Sequence, residues 1–356
     1  MGFVLSKLGR FSEASIKYTQ SIDHNKAFIP AYENLVSSYK LIGNYDLSIK
    51  YILQGLDLMP QNQKLKNHLI DIFNYHQPKI YQNIIININH LINKLDTIKR
   101  NDKLIKNSII KNILEKSEEI LKDNKDTTFK YPETQIFRRN KKRLHCGRQF
   151  GIFNKYKIIP KFCFSCYKVQ ITLTNVLSLI KIYFYFNDLY LEKNNTRKCM
   201  IEFRKNVSGN YKGYLYASSI NEAKNIKKII TNDLINKEIN YEKIAIKHGC
   251  TEYYDQFELY KNIDEDITDR VYQKEWGNIE KEFDRDNLIK ENIKEKVFDN
   301  TLNKFNLPDF LIIKNWLLYA KIIKDNSINK VFKFDIKTDH LSKIDIENIQ
   351  LRSSNN

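Results

Sequence analysis

Five cysteines are the residues of this chain best equipped for chemistry, and four of them, Cys163, Cys166, Cys199 and Cys250, fall within one stretch of ninety residues or so. The spacing Cys163-Phe164-Ser165-Cys166 lets one tight turn aim two thiolates at a single metal ion, and zinc is the metal that such soft donors suit. Cys250 and His248 lie at the far end of the same stretch, and His145 and Cys146 lie on the segment that enters it, so Cys146, Cys163, Cys166, Cys250, His145 and His248 form the candidate metal group. The same thiolates could hold an iron-sulfur cluster. They could equally be buried as small hydrophobes. A dithiol redox pair fits less well, because here the Cys-x-x-Cys leads into a strand and does not open a helix.

What must position these groups is the segment 163–250, which reads as two strand-helix-strand units. Residues 164–171 alternate as a strand, and 174–186 have helical spacing. Two strands, 198–204 and 211–218, flank a turn at 206–210; a second helix at 221–234 and a last strand at 241–250 follow. Right-handed crossovers then give an antiparallel sheet of ferredoxin-like type with the first and third strands central. In that topology the cysteines gather at one end of the sheet. Cys199 stands apart from the metal group, because the third strand separates it from the first.

Period 2 sorts the faces: Val169, Ile171, Leu215 and Ile246 point under the helices, whereas Lys168, Gln170, Glu202, Arg204, Tyr214, Tyr216 and Lys247 point away. The segment Lys212-Gly213-Tyr214-Leu215-Tyr216 resembles the central motif of RNA-recognition motifs. That resemblance implies bases stacked on Tyr214 and Tyr216, with Lys168, Arg204, Lys212 and Lys247 holding phosphates. The first strand departs from the family, offering Lys168 and Gln170 where an exposed aromatic belongs. The alternative is that C-terminal helices cover this face.

The first sixty residues repeat at an offset of 34: Gly9 matches Gly43, Phe11 Tyr45, Ala14 Ser48 and Tyr18 Ile52. Each copy has a turn glycine, an aromatic and a small residue in register, and Pro60 closes the second. Residues 1–77 resemble the tetratricopeptide repeat, whose stacked helical hairpins form a concave surface for a peptide or a partner's helix. The resemblance implies a protein or peptide partner held by Glu33, Ser37 and Lys40. Because Met1 falls inside the first helix of the first copy, the array starts part-built; either upstream sequence or the helices that follow must complete it.

Around these units the chain divides into a helical extension at 78–130, a loop-rich basic connector at 131–162, an α+β domain at 163–260, a helical region at 261–341 and a polar tail at 342–356. The connector carries Arg138, Arg139, Lys141, Lys142 and Arg143, a run that could grip phosphates or simply stay solvated. The net charge of +17 favours a polyanionic partner, RNA included. An odd cysteine count without an apolar leader places the chain in a reducing cytoplasm. Every apolar run is cut by charges, so no membrane span is expected. The fold expected is α+β, with tetratricopeptide-like hairpins, a ferredoxin-like βαββαβ domain and C-terminal helices. Two functions remain: an adaptor that binds a protein partner, and RNA as a second one; or an enzyme using metal-bound water or a thiolate at the Cys/His group. No phosphate-binding glycine loop, dinucleotide fingerprint or HExxH is present, so the adaptor is preferred.

Overall fold

The computed structural model describes residues 1–79, 82–95, 105–124, 129–140, 146–204, 207–263, 272–286, 297 and 299–330. Among them are thirteen α-helices and one five-stranded antiparallel sheet, a mixed α+β architecture. No helix among the described residues is long and apolar enough to cross a membrane.

The chain opens with five helices, α1 Gly2–Lys7, α2 Phe11–His24, α3 Ile29–Leu41, α4 Tyr45–Leu58 and α5 Gln63–Ile72, each packed on the next. The 34-residue offset is written into the backbone: Gly9 and Gly43 both occupy left-handed turns, with φ of 75° and 76°. A side chain at either would be strained there. One helical turn later the matched Ala14 and Ser48 are both fully buried. Gly55 permits the closest approach in the stack, since a Cβ there would sit 2.6 Å from Leu65.

Two further helices follow, α6 Ile84–Asn93 and α7 Asn107–Asp123, where apolar residues recur at three and four. The sheet comprises β1 Gln135–Arg138, β2 Tyr167–Leu173, β3 Arg197–Ile201, β4 Tyr211–Ala217 and β5 Tyr241–His248, in the order β1-β3-β4-β2-β5. Its central pair is β4 and β2, and Val169 faces Leu215 on one side and Ile246 on the other. Helices α10 Val176–Asp188 and α11 Ile220–Asn236 cross between these strands and pack on the sheet. Asn175 and Ser219 cap them, each accepting a backbone N–H three residues on.

The connector expected at 131–162 is not loop-rich. It supplies the edge strand β1 and the helix α8 Cys146–Tyr156, then one helical turn, α9 Lys161–Phe164. Four residues are too few for alternation to reveal a strand, and β1 exists only because β3 pairs with it 60 residues away. Helix α8 contains Gly147 and Gly151, both poor helix formers. It is held by α12 Lys274–Asp286: Arg148 clasps Asp284 through two bonds of 2.6 and 2.8 Å and reaches Glu280 at 2.9 Å. The bare Cα of Gly151 lets the Phe283 ring approach.

The last long helix, α13 Leu307–Ile322, has no polar face and is buried almost end to end, between the helical extension, α10 and the sheet. It joins the N-terminal hairpins and the sheet in one continuous apolar core. At its first turn Asp309 meets Arg138 of β1 through bonds of 2.7 and 3.2 Å, with both side chains no more than 3% exposed. Tyr183 donates to the same carboxylate at 2.8 Å, and the guanidinium also donates to Asn187 and the carbonyl of Lys304. Removing one partner strands the other charge in the core. Asp309→Ala should therefore cost about 3–5 kcal/mol in urea unfolding, and the double variant Arg138→Met, Asp309→Leu clearly less. Equal losses in the two would show that the charges themselves matter little.

Candidate functional site

Three places were marked by the sequence, and the structure treats them differently. At the thiol group, α9 ends in a turn in which the N–H of Cys166 reaches the carbonyl of Cys163 at 3.3 Å, and β2 starts directly after. The carbonyl of Cys166 then accepts the N–H of Gly249 at 2.8 Å, which brings Cys250 alongside. A Cβ at position 249 would stand 2.4 Å from the Cys166 sulfur, so glycine is what makes room for that thiol. Cys146, first residue of α8, closes the group: its thiol couples to that of Cys250, and Cys250 to that of Cys163.

These contacts raise the thiols. Contact with Cys250 pushes Cys146 far up, and burial followed by the neighbouring Cys250 and Cys146 takes Cys166 up to about 12. Contact with Cys146 favours the thiolate of Cys250, yet contact with Cys163 and burial outweigh it and bring Cys250 up to about 12. None of the five cysteines is in a disulfide. Among the described residues no three Cys, His, Asp or Glu side chains stand ready-posed as metal ligands. Cys163, for one, is drawn toward the hydroxyl of Tyr253 at 3.5 Å.

His248 does not join them. Its ring stacks between Tyr167 and Tyr260, with centroids 4.9 and 4.0 Å away, and its Nε2 lies 3.3 Å from the carbonyl of Asn262. Tyr260 also donates to the carbonyl of Cys163 at 2.7 Å, so the ring stands between His248 and that cysteine. His145 lies outside the described residues, as do Lys141, Lys142 and Arg143 of the basic run. Cys199 is buried on the helix side of the sheet, opposite Ile136 and Gly213, away from the thiol group as expected.

The outward sheet face is a correction: it is not open. Tyr214 is 5% exposed, Lys168 9% and Lys212 none at all. Tyr216 is only partly exposed, its hydroxyl feeling the thiols of Cys146, Cys166 and Cys250. The N-terminus of α8 and the turn after β5 cover one end of the face, where Lys168 donates to the carbonyl of Gly249 at 3.0 Å. Over the other end Glu202 accepts from Lys212 at 3.0 Å and from Arg204 at 2.9 Å. Of the six residues expected to hold RNA, only Arg204 is exposed, with Lys247 and Tyr216 half-buried, and Arg204 also pairs with Glu252 at 3.7 Å. Bases cannot stack on a ring that the chain already covers. The signal that could have shown this is the number of long cationic side chains on the face, whose stems lie across it.

The third place is the inner surface of the helical hairpins. Glu33 binds Lys64 at 2.7 Å and Asn62 at 3.1 Å, so it ties α3 to α5 and is no free contact residue. Lys40 donates to Asp71 at 2.8 Å, and Tyr131 donates to the other oxygen of Asp71 at 2.7 Å. Ser37 and Lys40 nevertheless line a cleft of about 430 Å³ between the hairpins and the sheet edge β1. Residues remote in sequence complete it. Tyr45 stacks on Tyr75, with rings 6.0 Å apart, and donates to Asp299 at 2.8 Å, while Glu133 and Arg139 enter from the flanks of β1. Burial and the nearby Asp71 raise the Glu133 carboxyl, although Arg139 opposes this. Of these residues Tyr45 carried a sequence signal as the aromatic of the repeat, and Arg139 as part of the basic run.

No family model matches the chain, and no curated protein or solved structure matches it either.

Glu202 gives a pH dependence. Burial works against its charge, but the bonds from Arg204 and Lys212 win and hold it down at about 2, against an ordinary 4.5. The folded chain thus binds this proton more weakly than the unfolded chain. The resulting stability is complete above about pH 4.5 and drains away as pH falls toward 2, by up to about 3 kcal/mol. Denaturant melts across that range should be visibly flatter in Glu202→Gln; an unchanged acid slope would refute the assignment.

Proposed function

We propose that this is a non-catalytic interaction protein in which tetratricopeptide-like hairpins and a ferredoxin-like α+β domain together hold a segment of a partner polypeptide. The observation that carries the reading is the cleft between the hairpins and β1, where the inner helices of a repeat array meet a sheet edge. A peptide laid there meets stacked tyrosines, fixed carboxylates and the row of backbone groups that an edge strand offers to an added strand.

The walls are preset. Lys40 with Asp71 and Tyr131, and Tyr45 with Asp299, are bonded before any partner arrives. Little side-chain ordering would then be spent on binding. Asp71, Glu133 and Asp299 outnumber Lys40 and Arg139 in the lining, so the cleft is locally acidic in a chain of net charge +17. A segment carrying lysine, arginine or amide donors suits it. The free thiols are at home in a reducing compartment, for which the cytoplasm is proposed.

The test is a photo-crosslinking amino acid placed at Ser37 in the full chain within its own cells, with the same group at Lys228 on the outer face of α11 as a control. Polypeptide adducts should form at Ser37 and fall about tenfold when Asp299→Lys reverses a charge in the lining. Equal adducts at both positions, or adducts indifferent to Asp299→Lys, would sink the reading.

A further inference from the structure

The thiol group of Cys146, Cys163, Cys166 and Cys250 lies at the opposite side of the sheet from the helical hairpins and plays no part in the cleft. We infer that these four side chains are a structural tetrathiolate zinc site, closed to solvent ligands. Three independent observations carry the inference.

The first is convergence. The four thiols come from the start of α8, the turn between α9 and β2, and the segment after β5, yet they lie against one another at one end of the sheet. The turn that presents Cys163 and Cys166 is fixed by its own backbone bond and by the bond from Gly249, and residue 249 has no Cβ where one would collide with the Cys166 sulfur.

The second is charge. Lys168 and Lys198 flank the Tyr214 ring, their ammonium groups 5.5 and 5.0 Å from its centre. Lys168 donates to the carbonyl of Gly249 at 3.0 Å, and the carboxylates of Glu252 and Glu202 act on the pair without a direct ion pair among the described residues. Next to zinc bound by four thiolates, a centre of net charge −2, the two lysines are the counter-ions it requires.

The third is the module itself. Cys163 and Cys250 sit in a small apolar cluster with Phe153, Ile159, Tyr253 and Tyr260, separate from the main core. The segments that build it are α8, α9 and the turns after β5. A metal stapling all of them supplies what so small a core lacks. Each thiol gives its proton to solvent on binding. With all four positions taken by protein there is none left for a reacting water, which separates this site from a metal-based catalyst.

The experiment is elemental analysis of the full chain, purified without chelator. About one zinc per chain is expected; it should be lost in Cys163→Ser and Cys250→Ser and kept in Cys199→Ser, whose thiol lies on the other face. Should the serine variants not fold, cobalt replaces zinc in the unaltered chain: a tetrahedral tetrathiolate spectrum is expected, with a melting point lowered by roughly 10 °C once a strong chelator removes the metal. Metal-free protein that neither takes up cobalt nor responds to chelator would overturn the inference. So would iron with visible iron-sulfur absorption, or zinc that survives Cys163→Ser.

Discussion

A buried ion pair holds this molecule together at the point where its three parts meet. Arg138 comes from the strand that closes one edge of the sheet, Asp309 from the first turn of α13, and Tyr183 and Asn187 from the helix that crosses the sheet. Two charges in so dry a place are tolerable only because every donor of the guanidinium is answered and the carboxylate lies near the N-terminus of a helix. The pair therefore acts on specificity: α13 is mostly apolar, and its register is the one in which Asp309 finds Arg138, Lys314 finds Glu118, and Asn315 and Trp316 reach the carbonyls ahead of β1.

That register also sets the functional geometry. With α13 fixed, the inner helices of the hairpins face β1 across the cleft, and the segment around residue 299 is laid along it, where Tyr45 and the turn near Leu41 hold it. The cleft is thus made by contacts between distant parts and not by the hairpins alone. An array of so few helices buries too little to stand by itself. Here the packing of α13 on α5 extends what those helices bury.

At the other side of the sheet the same economy of elements applies. A face that alternation predicts to be polar is lined with lysines, yet it is roofed by the start of α8 and the turn after β5. Burying Lys168, Lys198 and Lys212 is possible because their stems pack on Tyr214 and on each other's neighbours, while Glu202 answers one of them directly. Glu252 acts on the other two from the turn after β5.

The sequence by itself determined whatever depends on local periodicity. The 34-residue offset placed Gly9 and Gly43 in equivalent left-handed turns, because only glycine meets that backbone cheaply, and period 2 placed four of the five strands within a few residues. The Cys-x-x-Cys spacing marked its turn for the same reason. Tertiary structure alone decided the rest: that four residues of an apparent connector become an edge strand, that a polar face is covered, that His248 is stacked between two tyrosines, and that Asp71, Glu133 and Asp299 share one cleft. None of these has a period. Each is a contact between segments far apart in the chain, fixed by which surfaces happen to meet once the apolar core has closed.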